Sequence, residues 1–485
     1  MPLVGIETEY GFTIEGRTVH NQIEDSKALV REFPDKCFLG WNYQHESPRS
    51  DLRGFKVTQL QTDPVDAEFD ASTGNQSSWE DHENRVLTNG ARFYNDHGHP
   101  EYATPECTSL DELVLHDLAG QEVVLAAARK LQDKLGSKVR IYKNNTDFHG
   151  ASYGTHENYL VPRSISFDAI YKAVLPILIA RQVVTGAGKV GSETRGPVRF
   201  QMSQRADFLT EAVNLETLYR RPVFNTRDEP HASPSDWMRL HVISGDANMM
   251  PSCTKRKAGL VRLALQLLEK DLVPKWDIPD PSRSMMLVSR DTDGDGRIEL
   301  TGRNWTTPRQ ILESYCEVVL THIPADEEAR QIAEECLNLL EIRFSQPDQF
   351  ATHVDWAAKK FIVSEWVESE KKSWFDTEAQ SFDLAYHLLD TEEGLFYALV
   401  EMGWLTLPPM PEIVRRTHRA TDTRAVARGA AVEQLSEAIH SISWSQIVFQ
   451  DEGKPISVKL SPDREYSEAL YGVESVREFL SLLPG

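Results

Sequence analysis

The sequence predicts an α+β protein with one large domain and one small C-terminal domain. Its 485 residues exceed the ~250–300 residues at which a single hydrophobic core stops growing. Strand-like and helix-like segments follow one another in mixed order, as they do in α+β proteins. The proline-rich break "WLTLPPMPE" then separates a predicted large domain at 1–405 from a predicted small domain at 410–485.

The first half of the chain supplies strands, one long helix and an insertion. "VGIETEYGFTI" alternates apolar and polar residues, which predicts a strand close to the N-terminus. Residues 41–86 show little periodicity, so we expect a mobile inserted loop. Loops of this length are often active-site covers, and a tolerated surface insertion is the alternative. "TSLDELVLHDLAGQEVVLAAARKLQDKLG" has helical spacing after a capping Thr108 or Ser109, which predicts a helix.

The second half is mostly helical in pattern. "KVRIYKNN" indicates a strand, and "SFDAIYKAVLPILIARQVVTGAG" indicates a mostly apolar helix. Further strands are expected in "PVRFQMSQRAD", "RPVFNTRDEP" and "RLHVISGDANMM". Residues 255–402 are mainly helical, and "WSQIVFQ" and "PISVKL" are the strands expected in the small domain.

One segment matches the first half of a calcium-binding EF-hand loop: "DTDGDGRIELTG", residues 291–302. The twelfth position of such a loop needs a bidentate Glu, and the residue here is Gly302. The flanking segments "SMMLVSR" and "RIEL" have the pattern of strands. We therefore expect a β-hairpin turn here and no calcium site.

Composition limits the classes of partner. A formal net charge of −22 argues against a general affinity for nucleic acid or for an anionic membrane, since both attract basic surfaces. No stretch approaches the roughly 20 apolar residues of a membrane span, and the N-terminus lacks the pattern of a signal peptide. The five cysteines are odd in number and widely spaced, which favours reduced thiols. We expect a soluble, cytoplasmic protein.

The first candidate site is a pair of carboxylates in "GIETEYG". The two-residue period of a strand places Glu7 and Glu9 on one face, about 7 Å apart. Two carboxylates at that distance repel each other unless a cation lies between them. Their hard oxygen ligands suit Mg²⁺, and a solvated strand edge is the alternative.

The second candidate site is the stretch "RFYNDHGHPEYATPE", residues 92–106. Arg92, Tyr94 and Asp96 share one face of a strand, and two prolines rigidify the return from which Glu101 projects. Several oxygen donors next to a guanidinium, which can hold phosphate oxygens in a fork, indicate a site for a metal-bound phosphate. Zinc is disfavoured, because its sites use three or four nitrogen or sulfur ligands and no cysteine pair is present here.

His156 and three arginines complete the candidate residues. His156 follows a loop rich in Asn, Gly and Ser, where it is either a ligand or a structural histidine. Arg205, Arg227 and Arg239 lie near predicted strand ends, and together they indicate a positively lined pocket for an anionic substrate; singly, each is equally an ion-pair partner. The sequence contains no phosphate-binding G-x-x-x-x-G-K-[ST] motif, so bound ATP would have to be held by metals and arginines.

At this point a family resemblance is evident. "GIETEYG", "LTNGARFYNDHGHPEYATPE", "GASYGTHENYL", "NTRDEPHA" and "RLHVISGDAN" resemble the enzymes that process Pup, the prokaryotic ubiquitin-like protein: the Pup ligases and the Pup deamidases or depupylases. The resemblance implies a glutamine synthetase-like large domain and a small C-terminal domain. "DHGHPEY" and the insertion at 41–86 are closer to the depupylase pattern than to the ligase pattern.

The resemblance implies a function. We expect a nucleotide- and magnesium-dependent hydrolase that cleaves the isopeptide bond between Pup and substrate lysines, deamidates the C-terminal Gln of Pup, or does both. The alternative is a Pup–protein ligase or another ATP-dependent carboxylate–amine ligase. A non-catalytic relative that binds nucleotide or Pup is a third reading. The implied cofactors are ATP or ADP and Mg²⁺, and the implied partners are Pup and pupylated proteins.

The resemblance also implies roles for individual residues. Asp96 is the expected catalytic carboxylate, acting as nucleophile or as activator of water. The expected metal ligands are Glu7, Tyr94 and Glu101, with Glu9 and His156 as additional ones. The expected nucleotide contacts are Arg92, Thr104 and Trp444, with Arg205 and Arg227 on the phosphate side. A docking groove for acidic Pup is expected among Lys255, Arg256, Lys257, Arg415, Arg416, Arg419, Arg424 and Arg428, whose alternative is a set of solvated helix faces.

Overall fold

The structure is a computed structural model that describes residues 2–18, 21–44, 46–61, 83–148, 150–193, 197–228, 235–451 and 453–484. Its strands are β1 (Val4–Glu9), β2 (Gly11–Ile14), β3 (Cys37–Leu39), β4 (Arg85–Leu87), β5 (Arg92–Asp96), β6 (His99–Ala103), β7 (Val139–Tyr142), β8 (Thr155–Pro162), β9 (Lys189–Val190), β10 (Phe200–Gln201), β11 (Leu209–Asn214), β12 (Arg221–Asn225), β13 (Trp237–Val242), β14 (Ile298–Leu300), β15 (Asn304–Thr306), β16 (Ile439–Ile442), β17 (Gln446–Asp451) and β18 (Lys454–Lys459).

The α-helices lie mainly between residues 110 and 435. They are α1 (Gln22–Arg31), α2 (Leu110–Leu135), α3 (Phe167–Ala180), α4 (Gln182–Thr185), α5 (Pro251–Glu269), α6 (Pro281–Arg290), α7 (Pro308–His322), α8 (Glu327–Ser345), α9 (Pro347–Ala351), α10 (Asp355–Ser369), α11 (Thr377–Tyr386), α12 (Leu395–Glu401), α13 (Met410–His418), α14 (Arg424–Leu435) and α15 (Val476–Ser481). None of these described helices is both long enough and apolar enough to cross a membrane.

A seven-stranded antiparallel sheet, in the order β13-β8-β1-β6-β5-β4-β3, organises the described residues. Strand β1 shows why the sheet has two different faces. Val4 and Ile6 are buried in the main hydrophobic core, which also contains much of α3 and α5. Glu7 and Glu9 alternate with them and face the other way. The sheet therefore has one apolar face covered by helices and one polar face.

The long helix predicted after residue 108 is α2. Ser109 is its N-cap, and the side chain accepts a hydrogen bond from the Glu112 backbone N–H, which satisfies one of the free donors of the first turn. Gly136 ends the helix in the left-handed conformation, with φ of 65°. This helix packs against α5 and α13, so it joins the sheet to the C-terminal part of the chain.

The prediction of a strand at "SMMLVSR" is wrong, because these residues form most of α6. Asp280 caps the helix by accepting from the Arg283 N–H, and Pro281 occupies the first turn, where no backbone donor is needed. Met285 and Val288 are buried at a spacing of three, which fits a helix and not a strand. The hairpin lies further along, between β14 and β15.

The EF-hand-like segment holds its acidic residues apart. Asp291 accepts a hydrogen bond from the Gly296 N–H at 2.9 Å, and Asp293 pairs with Lys360 at 2.5 Å. Arg343 donates to the Gly294 carbonyl, which places a cation beside the loop. Among the described residues, none of these aspartates belongs to a group able to share a metal ion.

Part of the 41–86 insertion contacts the rest of the protein. Residues 62–82 of the insertion lie outside the described residues. Asp51 forms an isolated bridge with Arg227 and accepts from the Thr226 hydroxyl at 2.6 Å. The loop prediction is wrong at the end of the insertion, because β4 begins at Arg85 and pairs with both β3 and β5. The sequence hides β4 because it has only three residues, too few to show alternation.

A separate hydrophobic cluster forms near the C-terminus. It contains residues from α14, β16, β17, β18 and α15, together with Trp41 and Val86 from the N-terminal half. Strands β17 and β18 correspond to the predicted "WSQIVFQ" and "PISVKL". The Ile413 side chain of α13 instead packs against Val114 and Leu118 of α2. The division at 405–410 remains a prediction.

Candidate active site

The polar face of the central sheet collects the candidate residues in two rows. In the first row, Ala103 is paired with Arg92 on one side and with Glu7 on the other, and Glu7 is paired with His156. In the second row, Glu101 lies between Tyr94 and Glu9. Side chains that are paired across neighbouring strands point to the same face. The pairing of β5, β6, β1 and β8 therefore brings residues 92–101 beside residues 7–9 and 156.

The first candidate metal centre consists of Glu7, His156 and His241, each of which offers a ligand atom within 4.8 Å of the others. The His156 Nδ1 and His241 Nε2 atoms lie 3.5 and 3.7 Å from the Glu7 carboxylate. Arg239 donates to the same carboxylate at 3.1 Å. Burial alone would raise the pKa of Glu7, but Arg239 and the two histidines lower it well below its ordinary value.

The second candidate metal centre consists of Glu9, Asp96 and Glu101, again with ligand atoms within 4.8 Å of one another. Tyr94 donates its phenol hydrogen to Glu101 at 2.5 Å, and the Gly154 N–H donates to Glu9 at 2.6 Å. Burial raises the pKa of Glu101 well above its ordinary value, and the neighbouring carboxylates of Asp96, Glu7 and Glu9 raise it further. Three crowded carboxylates and a phenol are a donor set that suits Mg²⁺.

Asp96 lies at the end of β5, where the chain turns back into β6. His97 and Gly98 form that turn with positive φ angles of 44° and 86°, as a two-residue hairpin requires. The Asp96 side chain is 31% exposed, in contrast to the buried Glu101. An incoming substrate therefore reaches Asp96 more readily than it reaches Glu101.

A pocket opens beside the first centre. Glu7 lies on its wall together with Arg239 and Arg424, and Trp444 forms an aromatic wall. The other lining residues are mainly apolar and come from β1, β6 and β8. The Thr104 hydroxyl accepts the Ile6 N–H at 3.0 Å, so this residue also joins two walls of the pocket. A flat apolar ligand with an anionic end fits this combination of walls.

Arg92 is 6% exposed and stands next to that pocket on the sheet. Its Nε atom donates to Asn84 at 2.8 Å and its Nη2 atom donates to Tyr43 at 2.7 Å. Its guanidinium carbon lies 3.8 Å from the centre of the Tyr94 ring. Two of the three guanidinium nitrogens that were expected to bind phosphate therefore donate within the protein. No described hydrogen bond uses Nη1, which could donate to a ligand.

Comparison with known proteins identifies the family. The Pup-ligase protein family model matches residues 2–448. This chain belongs to that family. The depupylase of Acidothermus cellulolyticus is 36% identical over 93% of this chain and 92% of its own length. The Pup deamidase/depupylase of Mycolicibacterium smegmatis is 35% identical over 92% and 91%. The Pup–protein ligase of Acidimicrobium ferrooxidans is 35% identical over 78% and 86%.

Two solved structures of the family match the whole fold. The complex of Pup with its ligase PafA has a TM-score of 0.78 at 28% identity, covering 99% of this chain and 91% of that one. The complex of the Pup ligase PafA with ADP has a TM-score of 0.73 at 29% identity, covering 88% and 96%. These matches confirm the expected fold class, an α+β protein with a glutamine synthetase-like large domain.

The two arginines expected on the phosphate side differ in their positions. Arg205 is buried and donates to the Ser152 hydroxyl and the Tyr153 carbonyl, both at 2.8 Å. Burial lowers its pKa to about 10. It is close enough to Glu9 for the two charges to interact. Arg227 lies just after β12 and donates to Thr217 at 2.9 Å.

Most of the basic residues proposed for a docking groove are buried. The prediction of a groove is therefore wrong for them, and so is the alternative of solvated helix faces. Arg424 and Arg428 are buried and both bind the Glu106 carboxylate. They lie four residues apart on α14, so they face the same side of the helix. The other residues withdrawn from solvent are Arg256, Lys257 and Arg416. A cluster of basic residues in the sequence does not reveal that its members are buried, because the carboxylates that pair with them lie far away in the sequence.

His241 was not among the metal-ligand residues predicted from the sequence. Its ring lies 4.9 Å from that of His156, because β13 pairs with β8 and places His241 opposite Asn158. A strand pattern was recognisable around His241, but the pairing of that strand was not. The same pairing explains why Arg239, noted only as a pocket arginine, touches Glu7.

Proposed function

We propose that this member of the family is a nucleotide- and magnesium-dependent hydrolase that cleaves the isopeptide bond between Pup and substrate lysines. Where Pup ends in Gln, the same chemistry would deamidate it to Glu. The observation that supports this most strongly is the partly exposed Asp96 beside two groups of metal-ligand residues and an apolar pocket. Relatives named depupylase or Pup deamidase match 92–93% of this chain, and relatives named Pup–protein ligase match 78–81%.

The Mg²⁺ ions would be held by two sets of residues. Glu9 and Glu101, with the Tyr94 phenol, would form one set, and Glu7 with the two histidines would form the other. The chemistry that bound Mg²⁺ supplies is neutralisation of these carboxylates and polarisation of the substrate carbonyl. Gly154 and Arg239 orient the ligands by hydrogen bonds to Glu9 and Glu7.

The nucleotide would lie in the pocket between β1 and Trp444. Trp444 offers a face on which adenine can stack. Arg239 and Arg424 on the pocket wall, with the adjacent Arg92, provide positive charge for the phosphates. ADP bound to the related Pup ligase PafA supports this role.

Asp96 would attack the amide carbonyl or activate the water that does so. Its place on a tight hairpin holds the carboxylate at the edge of the second metal centre while leaving it accessible. The developing oxyanion needs positive neighbours, and Arg205 and the metal centres are the groups nearby. Pup and pupylated proteins are the proposed partners, supported by the Pup complex of the related ligase. A cytoplasmic location remains a prediction.

The test is cleavage of a Pup-conjugated lysine substrate in the presence of Mg²⁺ and ATP, followed by mass spectrometry. We expect Asp96→Asn to lower the rate about a thousandfold or more, because the carboxylate is lost while the geometry is kept. The matched control is Asp133→Asn, which makes the same change on the exposed surface of α2. Conjugate formation coupled to ADP release, without cleavage, would replace this proposal by the Pup–protein ligase alternative.

A further inference from the structure

The beginning of the inserted segment packs against two residues of the candidate site, Trp444 and Arg92. Trp41 is 2% exposed and belongs to the hydrophobic cluster of the C-terminal part. The backbone N–H of Asn42 donates to the Ile442 carbonyl at 2.8 Å. The indole N–H of Trp41 donates to Glu46 at 2.9 Å. These contacts fix Trp41, Asn42 and Glu46 in place.

Trp41 contacts two residues that serve different parts of the proposed nucleotide site. Its ring meets that of Trp444 edge-on, with 5.0 Å between the ring centres and an angle of 71°. The guanidinium carbon of Arg92 lies over the Trp41 ring, 4.6 Å from the ring centre. Edge-to-face aromatic pairs and cation–π contacts both depend on orientation, so each fixes the position of its partner.

Tyr43 adds a contact to only one of these two residues. Its hydroxyl accepts from Arg92 at 2.7 Å and from the Asn84 amide at 2.9 Å. Asn84 also accepts from Arg92, so the three side chains form a closed set of hydrogen bonds. Arg92 in turn covers the ring of Tyr94, whose phenol donates to Glu101. A contiguous path of contacts thus leads from Trp444 to the second metal centre.

We propose that Trp41 and Tyr43 are positioning residues for the nucleotide. Trp41 holds both Trp444 and Arg92, so it orients the residue that stacks on the base and the residue that faces the phosphates. Tyr43 holds Arg92, directly and through Asn84, and no contact between Tyr43 and Trp444 is seen among the described residues. The start of the insertion is then part of the binding site, whatever the remainder of the insertion does. This inference rests on the proposed function, because it assumes that the pocket binds nucleotide.

The roles of Trp41 and Tyr43 can be distinguished by comparing the binding of two ligands. One is ADP with Mg²⁺, and the other is adenosine, which has no phosphates. We expect Tyr43→Phe to weaken ADP binding about tenfold, because a hydrogen bond to a charged group is lost, and to leave adenosine binding within about twofold. We expect Trp41→Leu to weaken both ligands by about fivefold or more, with Trp41→Phe intermediate. Tyr171→Phe is the matched control, since it removes the same atom from α3, where the ring packs against Phe167 and Phe224.

Dissociation constants from titration calorimetry, with melting temperatures recorded alongside, decide the outcome. Equal losses of ADP and adenosine in Tyr43→Phe would overturn its assignment to Arg92. Unchanged binding of both ligands by folded Trp41→Leu or Trp41→Phe protein would overturn the role of Trp41. If the wild-type protein binds neither ligand, the proposed nucleotide site itself fails, and this inference fails with it.

Discussion

The two candidate metal centres lie side by side on one sheet and differ in how their negative charge is balanced. In the first centre, Arg239 and two histidines surround Glu7, and they lower the pKa of its carboxylic acid. In the second centre, burial raises the pKa of Glu101, and the carboxylates of Asp96, Glu7 and Glu9 raise it further. The protein itself supplies positive charge to the first centre. We propose that the second centre, which contains Asp96, depends on a bound cation for its positive charge.

Removal of the metal should give the largest effect. With Mg²⁺ chelated, we expect cleavage of a Pup-conjugated substrate to fall about a thousandfold or more, since the carbonyl loses its polarising charge and the carboxylates repel. Addition of excess Mg²⁺ should restore the rate. Undiminished turnover in thoroughly chelated protein would contradict the dependence of the second centre on a cation.

A third carboxylate, the half-buried Glu106, extends the comparison to acid stability. Burial would raise its pKa, but Arg428 and Arg424 lower it from 4.5 to about 2. Because the folded pKa is lowered, the stabilisation is fully present above pH 4.5 and is lost as pH falls from 4.5 towards 2, at most about 3 kcal/mol. Denaturant unfolding across that range should show a steeper pH dependence for the wild type than for Glu106→Gln. An equal pH dependence of the free energy of unfolding in the wild type and Glu106→Gln would contradict the stabilising role of Glu106.

Neutral substitutions should have opposite effects in the two metal centres when no metal is present. We expect Glu7→Gln to lower the free energy of unfolding by about 2 kcal/mol, because Arg239 loses its charged partner in a buried position. We expect Glu101→Gln to leave it unchanged or raise it by up to about 1 kcal/mol, because it removes a repelling charge. Urea unfolding of both variants in chelator provides the measurement, and destabilisation of equal size would refute the contrast.

Substitution of His241 should have the smallest of the four predicted effects. We expect His241→Asn to raise the Mg²⁺ concentration needed for half-maximal activity about tenfold, since one ligand of the first centre is lost. The control is His99→Asn, which changes a histidine of the neighbouring hairpin that is stacked on Tyr153. An identical Mg²⁺ dependence in the wild type and His241→Asn would remove His241 from the metal centre.

The features that could be predicted from the sequence are those set by local periodicity. The two-residue period of a strand placed Glu7 and Glu9 on one face, and the register confirms that they face the same side as Tyr94 and Glu101. Ser109 was recognisable as a helix cap because its partner is three residues away. The mixed order of strand-like and helix-like segments indicated the α+β class, and the family motifs supplied the glutamine synthetase-like fold.

The features that could not be predicted depend on contacts between distant segments. His241 joins Glu7 only because β13 pairs with β8. Arg424 and Arg428 look like a solvated basic patch until Glu106, more than 300 residues earlier, is placed between them. The helix at 281–290 was mistaken for a strand because the prediction rested on the short segment "SMMLVSR", and a short apolar segment does not distinguish a strand from a helix until its buried positions are known.

The pocket has a consequence for the order in which the protein is made. Its floor comes from residues 3–7 and its aromatic wall from Trp444, with Pro462 beside it. Residues 3–7 are synthesised more than 400 residues before Trp444, so a nascent chain has the floor of the pocket long before it has the aromatic wall. Translation products that stop before Trp444 would therefore carry the acidic centres of the sheet without the aromatic wall of the proposed nucleotide pocket.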